Sequence, residues 1–81
     1  MVIPLCNINP GERARIIFLD HEDRTAARLM DLGFVPGARL SCVLQKKKRN
    51  IAAYLVRSAV IALRKEDSRL IMVSPCREVD Q

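Results

Sequence analysis

The sequence predicts a small, mainly β fold: about five short antiparallel strands closed or half-closed into a barrel, with one short helix after the first strand. Three observations predict it. Apolar residues alternate with others at strand period in several short runs, as in Ala14, Ile16 and Phe18, or Ala52, Tyr54 and Val56. Helical period occurs in one place, the stripe Ala26, Leu29, Met30 and Gly33. The connections are tight, and two of them are built on Pro-Gly pairs. Closing such closely joined strands removes exposed sheet edges.

In chain order, Pro4-Leu5-Cys6-Asn7-Ile8 leads into a turn at Asn9-Pro10-Gly11-Glu12. Proline presets φ and glycine accepts positive φ, as a type II turn requires. The first strand is expected over residues 13–19, with Ala14, Ile16 and Phe18 on one face. Asp20 reads as a helix N-cap with Asp23 three residues on, where an acid suits the positive end of the helix. The helix runs to Leu32, and Gly33 is the residue that ends it in a left-handed conformation. Val35-Pro36-Gly37-Ala38 repeats the Pro-Gly turn. A second strand places Leu40, Cys42 and Leu44 inward, and Lys46-Lys47-Lys48-Arg49-Asn50 forms a hairpin tip. The third strand covers 51–57, Ser58 marks a turn, and the fourth covers 60–63. A single helical turn over 64–68 precedes a fifth strand over 70–73, which Ser74-Pro75 ends. The whole is expected to be one domain over 1–81, with its core in 4–74 and a tail over 75–81. The helix is expected to cover one mouth of the barrel.

Size and composition narrow the function. A chain of 81 residues buries only about 60% of its unfolded surface and cannot easily house a deep catalytic cleft. With 49% hydrophobic and 28% charged residues it is globular rather than disordered. The net charge of +5 and pI of about 9.6 favour acidic partners. Phe18, Phe34 and Tyr54 are the only aromatics, too few for a stacking platform on single-stranded nucleic acid. Three cysteines without a C-x-x-C pair, no signal-peptide start and no apolar run near 20 residues lead us to expect a reducing, cytoplasmic setting.

The segment Arg28-Leu29-Met30-Asp31-Leu32-Gly33-Phe34-Val35-Pro36-Gly37 resembles the R-L-x-x-L-G-F-x-P-G signature of the FeoA family. Pro4-Leu5 with Pro10-Gly11-Glu12-Arg13-Ala14-Arg15-Ile16 resembles that family's opening. Ile61-Ala62-Leu63-Arg64 followed by Leu70-Ile71-Met72-Val73 resembles its close. The resemblance spans residues 4–73. It implies an SH3-like barrel and a cytoplasmic, non-enzymatic role beside FeoB, the membrane ferrous-iron transporter. It also links the chain to the C-terminal domain of diphtheria-toxin-repressor-like metal regulators. Where the family often has glycine between the third and fourth strands, and Gly-Pro entering the third, this chain has Arg57-Ser58 and Asn50-Ile51. The first departure is expected to change the twist of its turn.

No Ser/His/Asp grouping, P-loop or G-x-G-x-x-G is present, so no catalytic residue is assigned. His21, with Glu22 and Asp23, offers imidazole and carboxylates to an ion such as Fe²⁺. A solvated helix start explains the same residues, so no metal or cofactor is assigned beyond weak Fe²⁺ binding. Cys6, Cys42 and Cys76 match no ligand spacing. Lys46, Lys47, Lys48 and Arg49 read as a solvated hairpin tip that can also meet a transporter's acidic surface or an anionic leaflet. The expected partner-binding residues are Arg28, Leu29, Met30, Leu32, Phe34, Val35 and Pro36, because a helix outside a thin barrel cannot bury all its apolar side chains. The expected partner is a FeoB-like transporter, with the chain peripheral to the membrane through it. The alternatives are a nucleic-acid-binding barrel and an iron sensor or carrier. Self-association is left open.

Overall fold

A computed structural model describes residues 1–76. Six antiparallel strands form one sheet: β1 (Ile3–Pro4), β2 (Arg13–Leu19), β3 (Arg39–Lys46), β4 (Ile51–Val56), β5 (Ala59–Arg64) and β6 (Ile71–Cys76). Their order across the sheet is β1-β6-β2-β3-β4-β5. Helix α1 (Asp23–Asp31) joins β2 to β3, and a short helix α2 (Lys65–Ser68) joins β5 to β6. The strand beyond the expected five is β1, whose two residues are too few to show alternation. The inner faces of β2, β3, β4, β5 and β6, with Leu5, Ile8, Leu29 and Phe34, enclose one hydrophobic core.

Both Pro-Gly pairs form the expected turns. Glu12 N–H donates to Asn9 O at 2.9 Å and Ala38 N–H to Val35 O at 3.0 Å, with positive φ at Gly11 and Gly37. The turns also staple β2 to β3. Gly11 N–H donates to Cys42 O, and Gly37 N–H to Ile16 O, each at 2.7 Å.

Four local expectations are corrected. The helix starts at Asp23, not at an Asp20 cap, and the Glu22 side chain makes no capping hydrogen bond. Asp20 N–H instead donates to Leu70 O at 2.8 Å, which holds the chain in the sheet for longer. A bulge between Ile16 and Phe18 turns Phe18 outward. A second irregularity between Cys42 and Leu44 does the same to Leu44. One extra residue on one strand of a pair exchanges the faces of everything beyond it. Finally, β6 continues through Ser74 and Pro75 to Cys76. The neighbouring β1 pairs no further along β6 than Val73, so Pro75 lies where β6 is paired on one side only and its missing N–H is tolerated. The rest of the tail expected over 75–81, residues 77–81, lies outside the described residues.

The β4–β5 turn realises the departure at Arg57-Ser58. Both residues adopt positive φ, +52° and +66°, the backbone of a two-residue hairpin turn that glycine and asparagine normally supply. Asn50, at the end of the β3–β4 connection, is left-handed too, which asparagine tolerates.

Candidate functional site

The end of α1 is built by local chemistry. Gly33 N–H donates to Met30 O at 3.0 Å and Phe34 N–H to Leu29 O at 3.1 Å. This is the Schellman arrangement, which needs a left-handed residue after the helix. Gly33 supplies it at φ +114°. A Cβ there would also lie 3.2 Å from Arg57 Cδ, so the helix end sits directly on the β4–β5 turn.

That geometry divides the expected partner-binding residues. Leu29 (2% exposed) and Phe34 (0%) are core, and their contact role is corrected to that of anchors. A side chain buried this far has no surface to offer a partner. Met30 (37%) and Leu32 (44%) stand exposed beside the anchors, with Arg28 and Pro36 exposed and Val35 half-buried. The surface left for contact is therefore Arg28, Met30, Leu32 and Pro36, with the edge of Val35.

Alternation alone misses two further exposed apolar places. Val43 and Leu44 both face out at the β3 bulge, in line with Leu55 and Val60 on the outer face of β4 and β5. Ile17 and Phe18 face out at the β2 bulge. The signal in the sequence is the apolar doublet itself, Ile17-Phe18 and Val43-Leu44, at which strict alternation breaks.

The opposite end of the barrel is basic. Lys46 closes β3, and Lys47–Arg49 form a single 3₁₀ turn. All four side chains are exposed, as expected for a hairpin tip. Lys65 N–H donates to Asn50 O at 2.8 Å, which ties the hairpin to α2. Beneath them Tyr54 is fully buried, and its hydroxyl finds no hydrogen-bond partner of good geometry among the described residues. Burial pushes the phenol up to about 12, although the neighbouring Ser68 side chain works in the other direction.

The metal candidates are placed separately. His21 is half-buried, and its Nε2 donates to Asp67 O at 2.8 Å, linking the chain just before α1 to α2; Nδ1 is buried with no hydrogen-bond partner among the described residues. Glu22 and Asp23 are exposed at the helix start. Among the described residues no group of three His, Cys, Asp or Glu side chains gathers as an ion requires. Cys42 is a core residue whose Sγ–H reaches Leu44 O at 3.6 Å, and burial raises its thiol pKa, keeping it protonated. Cys6 and Cys76 are free and half-buried.

A family model described as the FeoA domain matches residues 3–75. No curated protein matches. Among solved structures, the crystal structure of an iron uptake regulatory protein (FeoA) superposes with a TM-score of 0.86 at 21% identity, covering 94% of this chain and 100% of the other. The iron(II) transport protein A of Clostridium thermocellum superposes with a TM-score of 0.81 at 28% identity, covering 90% of this chain and 45% of the other. A manganese-dependent transcriptional repressor has a TM-score of 0.86 at 14% identity, covering 93% of this chain and 41% of the other. At 14% and 21% identity the likeness shows the shared small barrel fold alone.

Proposed function

The chain belongs to the FeoA domain family, and on that premise we propose that it is a non-enzymatic accessory protein of ferrous-iron uptake. In this reading it works in the cytoplasm, docks on the cytosolic part of a FeoB-like membrane transporter and modulates iron transport. The iron role is supported by the match over residues 3–75 and by the 28%-identical structural relative, an iron(II) transport protein.

One observation carries the choice of surface. Met30 and Leu32 are exposed apolar side chains on the same short segment as Leu29 and Phe34, which are locked in the core. Two anchors inside and two contacts outside make a rigid apolar patch that loses little conformational entropy on binding. Methionine adapts its shape to a partner surface. The basic excess of the chain steers it toward acidic surfaces on the partner.

Site-specific crosslinking from position 32 in intact membranes tests this. The expected product joins the chain to the transporter. Crosslinking only to other proteins, with the transporter present at normal levels, would remove the assignment.

A further inference from the structure

The end of the barrel opposite α1 holds a cavity of about 410 Å³. Its walls come from three elements far apart in sequence: the 3₁₀ turn Leu5–Asn7, the β3–β4 hairpin and α2. Backbone and side-chain hydrogen bonds fix them to one another. Lys65 N–H donates to Asn50 O at 2.8 Å and Gln45 Nε2 to Ile8 O at 3.4 Å, while His21 Nε2, from the β2–α1 connection, donates to Asp67 O of α2 at 2.8 Å.

The lining has a consistent chemistry. Lys46, Lys47 and Lys65 stand around it, and none of the described lining residues is an acid. An adjoining cleft of about 320 Å³ shares Asn50 and Lys65 and adds Arg49, Arg64 and Arg69 against one carboxylate, Glu66. Neutral hydrogen-bonding groups lie among the lysines: the amides of Asn7, Asn9 and Gln45, and the hydroxyls of Ser68 and Tyr54. The Tyr54 hydroxyl is buried in this lining and has no hydrogen-bond partner of good geometry among the described residues, although the Ser68 side chain lies beside it. A buried donor left unpaired is costly, and a bound molecule can relieve that cost, directly or through one water. With Tyr54 fully buried, the lining offers no exposed aromatic face on which a nucleobase would stack.

We propose that this cavity binds a phosphate ester of a small polyol. The ammonium groups of Lys46, Lys47 and Lys65 take the phosphate, and the amides and hydroxyls below them take the polyol hydroxyls. The volume lies in the range of small-molecule sites. Such a group comes either as a free metabolite or as the headgroup of a glycerophospholipid. The site lies at the far end of β4 from the Gly33 end of α1.

The test is a titration of the isotope-labelled full chain followed by NMR, with glycerol 3-phosphate, inorganic phosphate and glycerol as separate probes. A parallel arm uses phosphatidylcholine vesicles with and without phosphatidylglycerol. Saturable shifts are expected at the amides of Asn7, Gln45, Ala52 and Ser68, with glycerol 3-phosphate bound about fivefold more tightly than inorganic phosphate. Lys65→Gln is expected to weaken binding about tenfold. Tyr54→Phe is expected to weaken it about threefold while the protein stays folded, since that variant removes an unpaired hydroxyl. Saturation in the vesicle arm alone, with the same dependence on both variants, supports the site and identifies the headgroup as its source. Equal affinity for both phosphates with no effect of either variant overturns the proposal, as does the absence of saturable shifts in both arms.

Discussion

The two ends of β4 are made in opposite ways. At the Val56 end, α1 closes the barrel with apolar anchors and a helix stop on Gly33, whose neighbours are the Val56 and Arg57 side chains. At the Ile51 end, three separate segments meet around lysines and amides, over a tyrosine whose hydroxyl has no hydrogen-bond partner of good geometry among the described residues. The first end closes its backbone hydrogen bonds within the helix stop and leaves apolar surface outside. The second leaves polar groups unspent. An end that satisfies itself internally suits a rigid protein contact, whereas an end with spare donors suits a polar ligand.

The comparison can be broken most forcefully at the anchors. Phe34→Ala is expected to cost about 3–5 kcal/mol, as for other fully buried aromatics, and Leu29→Ala about 3 kcal/mol. Denaturant unfolding would check both. For a chain this small that approaches the whole stability. A loss below 1 kcal/mol would mean that the α1 end is not anchored as described.

Tyr54 gives the next largest effect. Its pKa is about 12 in the folded protein against 10.0 in the reference state. The folded state therefore holds this proton when the unfolded state has released it. Stability from this source is complete below pH 10, falls as pH rises from 10 to 12, and amounts to about 2–3 kcal/mol at most. Comparing the wild type with Tyr54→Phe over that window isolates it from lysine titration. A wild-type decline no steeper than the variant's would place Tyr54 in a wetter setting.

Smaller effects test the turn between the ends. Gly33→Ala is expected to cost about 1–2 kcal/mol, from positive φ and the nearby Arg57 side chain. Ser58→Gly is expected to add about 0.5 kcal/mol, because glycine adopts the +66° backbone without strain. A destabilising Ser58→Gly would show that the turn is held by something other than its backbone preference.

What the sequence made legible is what short-range chemistry decides. Pro10-Gly11, Pro36-Gly37 and Gly33 dictate their turns through φ alone, and each forms as expected. The strands follow from alternation up to the point where a bulge intervenes. Beyond Ile16 and Cys42 the faces exchange, and only the apolar doublets mark where. The helix start is not legible because Asp20 and Asp23 are both acceptable near a helix N-terminus; the choice is made by Leu70, fifty residues away, which takes the Asp20 N–H. Leu29 and Phe34 lie in the core rather than at a contact, because neither helical spacing nor a place beside Gly33 says which side chains face in. The basic cavity was not legible, since its walls run from Cys6 to Ser68 and no local pattern joins them.

The division of labour between the ends is tested most directly by measuring binding to the transporter's purified cytosolic part. Two folded variants are compared with the wild type: Met30→Asp with Leu32→Asp, and Lys47→Gln with Lys65→Gln. The α1 pair is expected to reduce affinity at least tenfold, and the lysine pair to change it less than about threefold. Full affinity in the α1 pair, or a loss confined to the lysine pair, would contradict the account.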